Sequence, residues 1–283
     1  MTDEPKIVGK AFIHSYHVRN KFHGAVVVKE KIKYEDGTVK PNIAIYDNPK
    51  RSFYITAARH RRYAFKPEYE LLSKLDKYTC YDHELQTKLA EVLGLGPGWH
   101  RPATLFKSPY VFGADIGIES LIKMRYADAY PKSGLTPTVG FFDIETSIET
   151  GQIIIISYMH DSVVHTAILE SFLFEEIGDK RIPVNRDDML SHIKTTLESR
   201  TMGLNLTYNL EICDSEIKLI AWIYKQVHAS GTDYIQIWNM NFDIPKVIAT
   251  IEDHKLDPVI FFADPKIPEK LRYFKYYADD SVR

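Results

Sequence analysis

Residues 139–146 read Val139-Gly140-Phe141-Phe142-Asp143-Ile144-Glu145-Thr146, an apolar run that carries two acids one residue apart. Strand side chains alternate between faces, so the run predicts a strand with Asp143 and Glu145 on one face and Phe142 and Ile144 on the other. Two neighbouring carboxylates repel each other. A strand that holds them side by side is best explained by a positive group between or beside them, most simply a divalent metal ion.

Outward from this strand, 153–158 and 163–169 are two further apolar runs, set off by turn-like breaks at 149–152 and 160–162, so the three form a meander. Met189, Leu190, Ile193 and Leu197 then recur at helical spacing. A second helix is expected from Ser215 to about His228, burying Ile217, Ile220, Ala221 and Tyr224 and ending at Ser230-Gly231. The run 234–239 reads as a strand that leads into a helix ending near Ile251. Strand, helix and strand in this order predict a right-handed crossover and a mixed α/β sheet covered by helices.

Upstream, the pattern is that of a small α+β module. Residues 24–28, 42–46 and 52–56 read as short strands, with turn signals at Asp36-Gly37 and Asn48-Pro49. Leu85, Leu89, Val92 and Leu93 mark an amphipathic helix closed by Gly94. Within this module Lys50-Arg51 and Arg59-His60-Arg61-Arg62 flank an aromatic strand, with Tyr63, Phe65 and Tyr69 behind. Arg59, Arg61 and Arg62 interleaved with rings suit a single-stranded nucleic-acid surface; the plainer alternative is a solvated turn beside a core strand whose aromatics face inward. The Gly- and Pro-rich stretch at 94–98 is the sharpest break in composition, and a short helix is expected over 118–123.

Composition narrows the class. The 283 residues are 45% hydrophobic and 26% charged, with a net charge of -2. A chain without a global basic field meets nucleic acid only through local patches or metal ions. Cys80 and Cys213, the two cysteines, sit in no metal-type spacing and read as reduced thiols of a cytoplasmic protein. The start of the chain is polar and acidic, unlike a secretory signal, and the longest apolar run, at 153–156, is far too short to span a bilayer. No membrane partner is expected.

Asp243 falls where a strand ends and a helix begins. Asp there is most often only a helix cap. If its strand lies beside the first, however, Asp243 faces Asp143 and Glu145. Three carboxylates without Cys or His favour magnesium or manganese over zinc, and a pair of such ions is the arrangement for attack of water on a phosphodiester.

Residues 141–146, Phe-Phe-Asp-Ile-Glu-Thr, resemble the first exonuclease motif of family B DNA polymerases, phage polymerases in particular, and residues 238–245, Trp-Asn-Met-Asn-Phe-Asp-Ile-Pro, resemble the second. The resemblance implies an N-terminal α+β domain over 1–110, a connecting segment over 111–137 and a ribonuclease H-like 3′-5′ exonuclease domain over 138–283, incomplete at its C-terminal end. It implies that Asp143, Glu145 and Asp243 are catalytic and bind two magnesium or manganese ions. Asn239 and Phe242 would shape the pocket for the terminal nucleotides of a primer strand. For a viral protein the setting would be the host cytoplasm.

The family's third motif, a Tyr followed four residues later by an Asp, is matched literally by Tyr276 and Asp280, but soon after Asp243, before another helix and strand could form. The expectation is therefore that the motif lies beyond Arg283, with the polymerase domains. No Asp-Thr-Asp or Ser-Leu-Tyr-Pro-Ser run is present, so the chain is not expected to polymerise DNA by itself. The leading expectation is the N-terminal and exonuclease part of a truncated or split polymerase, working with a downstream polymerase polypeptide. The alternatives are a freestanding exonuclease that uses Tyr276 and Asp280, and a catalytically silent subunit that binds nucleic acid.

Overall fold

A computed structural model describes residues 5–19, 24–96, 101–131, 133–177 and 180–276. The chain forms two units, Met1–Leu135 and Thr136–Arg283. In the first, strands β1 (Ile7–Arg19), β2 (Gly24–Tyr34) and β3 (Val39–Asp47) make an antiparallel sheet with β2 in the middle. The turn from β2 to β3 passes through Gly37, whose φ of 85° is open to glycine at no steric cost. A second three-stranded sheet has β4 (Lys50–Thr56) between β5 (Leu75–Tyr81) and β6 (Val111–Phe112). Helices α1 (Leu85–Leu93) and α2 (Pro102–Phe106) supply Leu85, Leu89 and Leu105 to a core with Phe53, Ile55 and Val111. Gly94 ends α1 in the left-handed conformation.

Helix α3 (Ile118–Ala129) lays Ile118, Ile122 and Tyr126 on Val26 and Val28 of β2. The segment over 111–137, read from the sequence as a connection, falls up to residue 135 in the first unit, to which it supplies the strand β6 and the core helix α3. The expected short helix at 118–123 runs on to Ala129 because Tyr126 continues the buried stripe, its hydroxyl donating to the buried carboxylate of Glu30 at 2.6 Å.

The second unit is a mixed sheet flanked by helices. Strands β7 (Val139–Thr146), β8 (Ile153–His160) and β9 (Val163–Leu169) form the antiparallel meander. The hairpin β10 (Phe174–Ile177) and β11 (Lys180–Pro183) follows, then α4 (Arg186–Arg200), β12 (Thr207–Cys213), α5 (Glu216–Ser230), β13 (Tyr234–Ile237), α6 (Met240–Asp253) and α7 (Val259–Phe262). The sheet order is β12-β9-β8-β7-β13, with β12 parallel to β9 and β13 parallel to β7. Phe142, Ile144, Ile156 and Tyr158 share a core with Leu219, Ile220, Ile223 and Tyr224 of α5 and Val247 and Ile251 of α6. The buried stripe of α5 keeps the expected Ile220 and Tyr224, with Ile217 packed against the core, but it adds Leu219 and Ile223 and leaves Ala221 exposed. Among the described residues no helix is long and apolar enough to cross a membrane.

Gly140 has a specific task in this core. A methyl group there would lie 2.7 Å from Cε2 of Tyr158, a ring that is fully buried and whose hydroxyl is held by Thr232 and Ser230. Gly140→Ala is expected to cost about 1–3 kcal/mol through overpacking, read as a lower midpoint in thermal or urea unfolding.

Candidate active site

β7 alternates as its sequence requires. Gly140, Phe142 and Ile144 are buried, while Val139, Phe141, Asp143 and Glu145 are exposed on the other face. The parallel register sets Ile237 against Phe142, so the chain leaves β13 level with the acidic end of β7. Trp238 and Asn239 turn the backbone, and α6 starts at Met240.

Asp243 is not the cap of α6. That position belongs to Asn239, whose carbonyl accepts the Asp243 amide at 2.8 Å and the Phe242 amide at 2.9 Å. Asp243 sits in the first turn with only 2% of its surface exposed, and its Oδ2 has no hydrogen-bond partner among the described residues. Burial, and then the Asp143 carboxylate, push its carboxyl above the ordinary range; Glu145 adds to the push, and a hydrogen bond from the Asn239 backbone opposes it. A buried, repelled acid with one unpaired oxygen is costly to keep unless something uses it.

The sheet thereby brings Asp143, Glu145 and Asp243 into one electrostatic neighbourhood. Among the described residues, no three His, Cys, Asp or Glu side chains close into a ready-made metal cage. The donors fit magnesium or manganese in kind, since such ions keep several waters and are bound through one or two carboxylates together with substrate phosphates. The orphaned Oδ2 of Asp243 is the point at which a cation would relieve an existing cost.

Beside Asp143 lies a cleft of about 210 Å³. Gln236, Phe141 and Met159 form one cross-strand row of its lining, and Asp143 and Ser157 another, with Phe142 and Trp238 completing it. Of these, sequence reasoning singled out only Asp143. Phe141 was legible from its period-two relation to Asp143, but Ser157, Met159 and Gln236 come from other strands and need the register.

The remaining expected residues divide. Asn239 and Phe242 are both exposed at the start of α6. Tyr276 has a buried hydroxyl with no hydrogen-bond partner among the described residues, and Asp280 lies outside those residues.

In the first unit, Arg59 and Arg62 are exposed, whereas Arg61 donates to the Thr56 carbonyl at 2.8 Å and lies over the Tyr110 ring. The aromatics also split. Tyr63 turns inward, bonding Thr56 and Glu70, while Phe65 and Tyr69 are 88% and 80% exposed. Arg51 is buried and belongs to the interior.

No protein-family model matches the chain, and no curated protein matches it by sequence.

Proposed function

We propose that the chain is the N-terminal and exonuclease part of a family B DNA polymerase, and that its second unit is a ribonuclease H-like domain that hydrolyses DNA from the 3′ end. The observation that carries this reading is Asp243: buried, with one oxygen unpaired, and pressed by the two carboxylates of β7. Asp143 and Glu145 reach the same side from one strand, and Asp243 closes the site from the first turn of α6. These three residues would hold magnesium or manganese, which supplies charge neutralisation at the phosphodiester and a more acidic water.

The three side chains fix where that charge sits, so the scissile phosphate is oriented before the reaction starts. Phe141 and Trp238 line the cleft beside Asp143, and Phe242 directly precedes Asp243 in the first turn of α6, so exposed apolar side chains border the acids. The reaction is hydrolysis: water adds at phosphorus, and the upstream 3′ oxygen leaves with a proton, releasing a nucleoside 5′-monophosphate.

The test is a 5′-labelled single-stranded DNA incubated with the full chain and magnesium, with and without the downstream polypeptide. A 3′-to-5′ ladder, stopped by EDTA and by Asp143→Asn, is expected. A ladder from the chain alone identifies a freestanding enzyme, and one that needs the second polypeptide identifies a split polymerase. Metal-independent binding with no ladder in either mixture overturns the reading in favour of a silent nucleic-acid-binding subunit.

Exposure of Arg59, Arg62, Phe65 and Tyr69 supports a second binding surface for single-stranded nucleic acid in the first unit. Removing one cation from a phosphate should lower the slope of log affinity against log salt by about 0.7. Arg59→Ala with Arg62→Ala is therefore expected to reduce that slope by roughly 1.4 in a fluorescence-anisotropy titration.

A further inference from the structure

His160 and His165 stand on either side of the turn from β8 to β9, His160 as the last residue of one strand and His165 as the third of the other. His165 pairs across the strands with Tyr158, and His160 is two residues along from Tyr158. Both imidazoles therefore share the face that Phe142 and Tyr158 turn towards α5, while Asp143 and Glu145 lie on the opposite face. The two Nε2 atoms are 3.3 Å apart. The ring planes agree within 13° and the centroids are 5.4 Å apart, well beyond the separation of the nitrogens, so the rings meet edge to edge with Nε2 towards Nε2.

An ion that binds two imidazoles at about 2.0–2.1 Å in tetrahedral geometry holds their nitrogens roughly 3.3–3.4 Å apart. The folded chain already sets that span. The far nitrogens are supported as well: Asp161 Oδ2 is 3.6 Å from His160 Nδ1, and the Asn209 amide nitrogen is 3.4 Å from His165 Nδ1. Metal-bound histidines carry their other ring proton against a carboxylate or a similar acceptor, which fixes the tautomer and aims the ring.

We propose that His160 and His165 form a binding site for a divalent transition-metal ion of the zinc class. Imidazole suits zinc, copper and nickel, whereas magnesium and manganese prefer the oxygens of the β7 acids. Without the ion, one ring donates its Nε2 proton to the other. With it, both neutral rings keep their proton at Nδ1 and give the Nε2 lone pair to the metal, and a half-turn of the Asn209 amide presents Oδ1 to His165. Among the described residues no third His, Cys, Asp or Glu completes a cage, so water fills the remaining positions. His165 is buried, and the 20% exposure of the His160 side chain leaves the site open to solvent on that side. The proposal is independent of the exonuclease reading, because the two sites lie on opposite faces of the sheet.

The probe is Zn2+, titrated calorimetrically into the full chain at slightly alkaline pH with excess Mg2+ present to occupy the oxygen site. The parent should show a binding step and a higher melting temperature with zinc. His160→Ala should lose both, and its melting in EDTA checks that it is folded. Asp161 has a φ of 49°, which asparagine also tolerates, so Asp161→Asn should keep the turn and weaken zinc binding by about 10-fold, the scale of removing the group behind a ligand. Side-chain nitrogen NMR should show both rings protonated at Nδ1 once zinc is bound.

If folded His160→Ala takes up zinc as the parent does, or if the step is lost in Asp143→Asn instead, the ion sits elsewhere and the proposal is overturned. If the parent takes up no zinc, the imidazoles are only a hydrogen-bonded pair, and the proposal is overturned too. Neither result bears on DNA hydrolysis.

Discussion

Asp243→Asn is expected to lower the proposed DNA hydrolysis by about 10³-fold or more, the scale of losing several kcal/mol of charge stabilisation, while leaving the protein at least as stable at neutral pH. Asparagine keeps the shape and can still accept the Asn239 backbone hydrogen bond, but it removes a charge from a position that is 2% exposed and faces two other acids. The pH dependence follows from the direction of the shift. Folding raises the carboxyl above its ordinary value near 3.8, so in the metal-free protein the folded state binds more protons than the unfolded one between those two values. That contribution to stability is complete below about pH 4 and is lost as pH rises through the folded value. Thermal melts of the parent across this window should show the decline, and Asp243→Asn should lack it. Magnesium or manganese at neutral pH should raise the parent's melting temperature and leave the variant's nearly unchanged. A variant markedly less stable than the parent at neutral pH would make Asp243 a structural acid.

The parts of the molecule that were legible in the sequence are those where periodicity and burial agree. β7, β8 and β9 are dense apolar runs that end at turns, and the α1 stripe ends at a glycine in the left-handed conformation. β12 was hidden because Asn209 and Glu211 interrupt its apolar residues, as an edge strand permits; its partner is β9, reached only after α4. β1 was hidden by Lys10, His14, Ser15 and His17, polar residues in a strand on the edge of its sheet. In the candidate site, the residues of β7 could be read from alternation alone, whereas the cleft depends on register among three strands. Asp243 shows the same limit: its sequence position is compatible with a cap, and only the fold distinguishes a satisfied cap from a buried acid with an unpaired oxygen.

Arg51→Ala is expected to destabilise the first unit by about 3–5 kcal/mol, the range for breaking a buried ion pair from one side. The sequence groups Arg51 with the surface arginines, yet the side chain is 3% exposed. Its Nη1 donates to Asp82 Oδ1 at 3.0 Å, and its Nη2 donates to the carbonyls of Gly113, Ala114 and Ile116 at 2.9, 3.0 and 2.7 Å. One guanidinium therefore neutralises a buried acid and satisfies the backbone where the chain passes from β6 towards α3. Truncation leaves Asp82 with the exposed Arg19 at 3.4 Å as its nearest cation and strips three carbonyls of a donor. Arg51→Lys should fall between parent and alanine, because an ammonium cannot reproduce the planar fork. Asp82→Asn should cost less than Arg51→Ala, since it keeps the carbonyl hydrogen bonds. Against a typical domain stability of about 5–15 kcal/mol, the alanine variant should show a clearly lower urea midpoint with an unchanged slope. Below its unfolding transition it should bind single-stranded DNA with the salt dependence of the parent, opposite to the Arg59→Ala and Arg62→Ala pair. A stable Arg51→Ala with weakened DNA binding would instead return Arg51 to the surface cluster, because taking away one partner of a buried ion pair leaves the other charge uncompensated and costs folding stability.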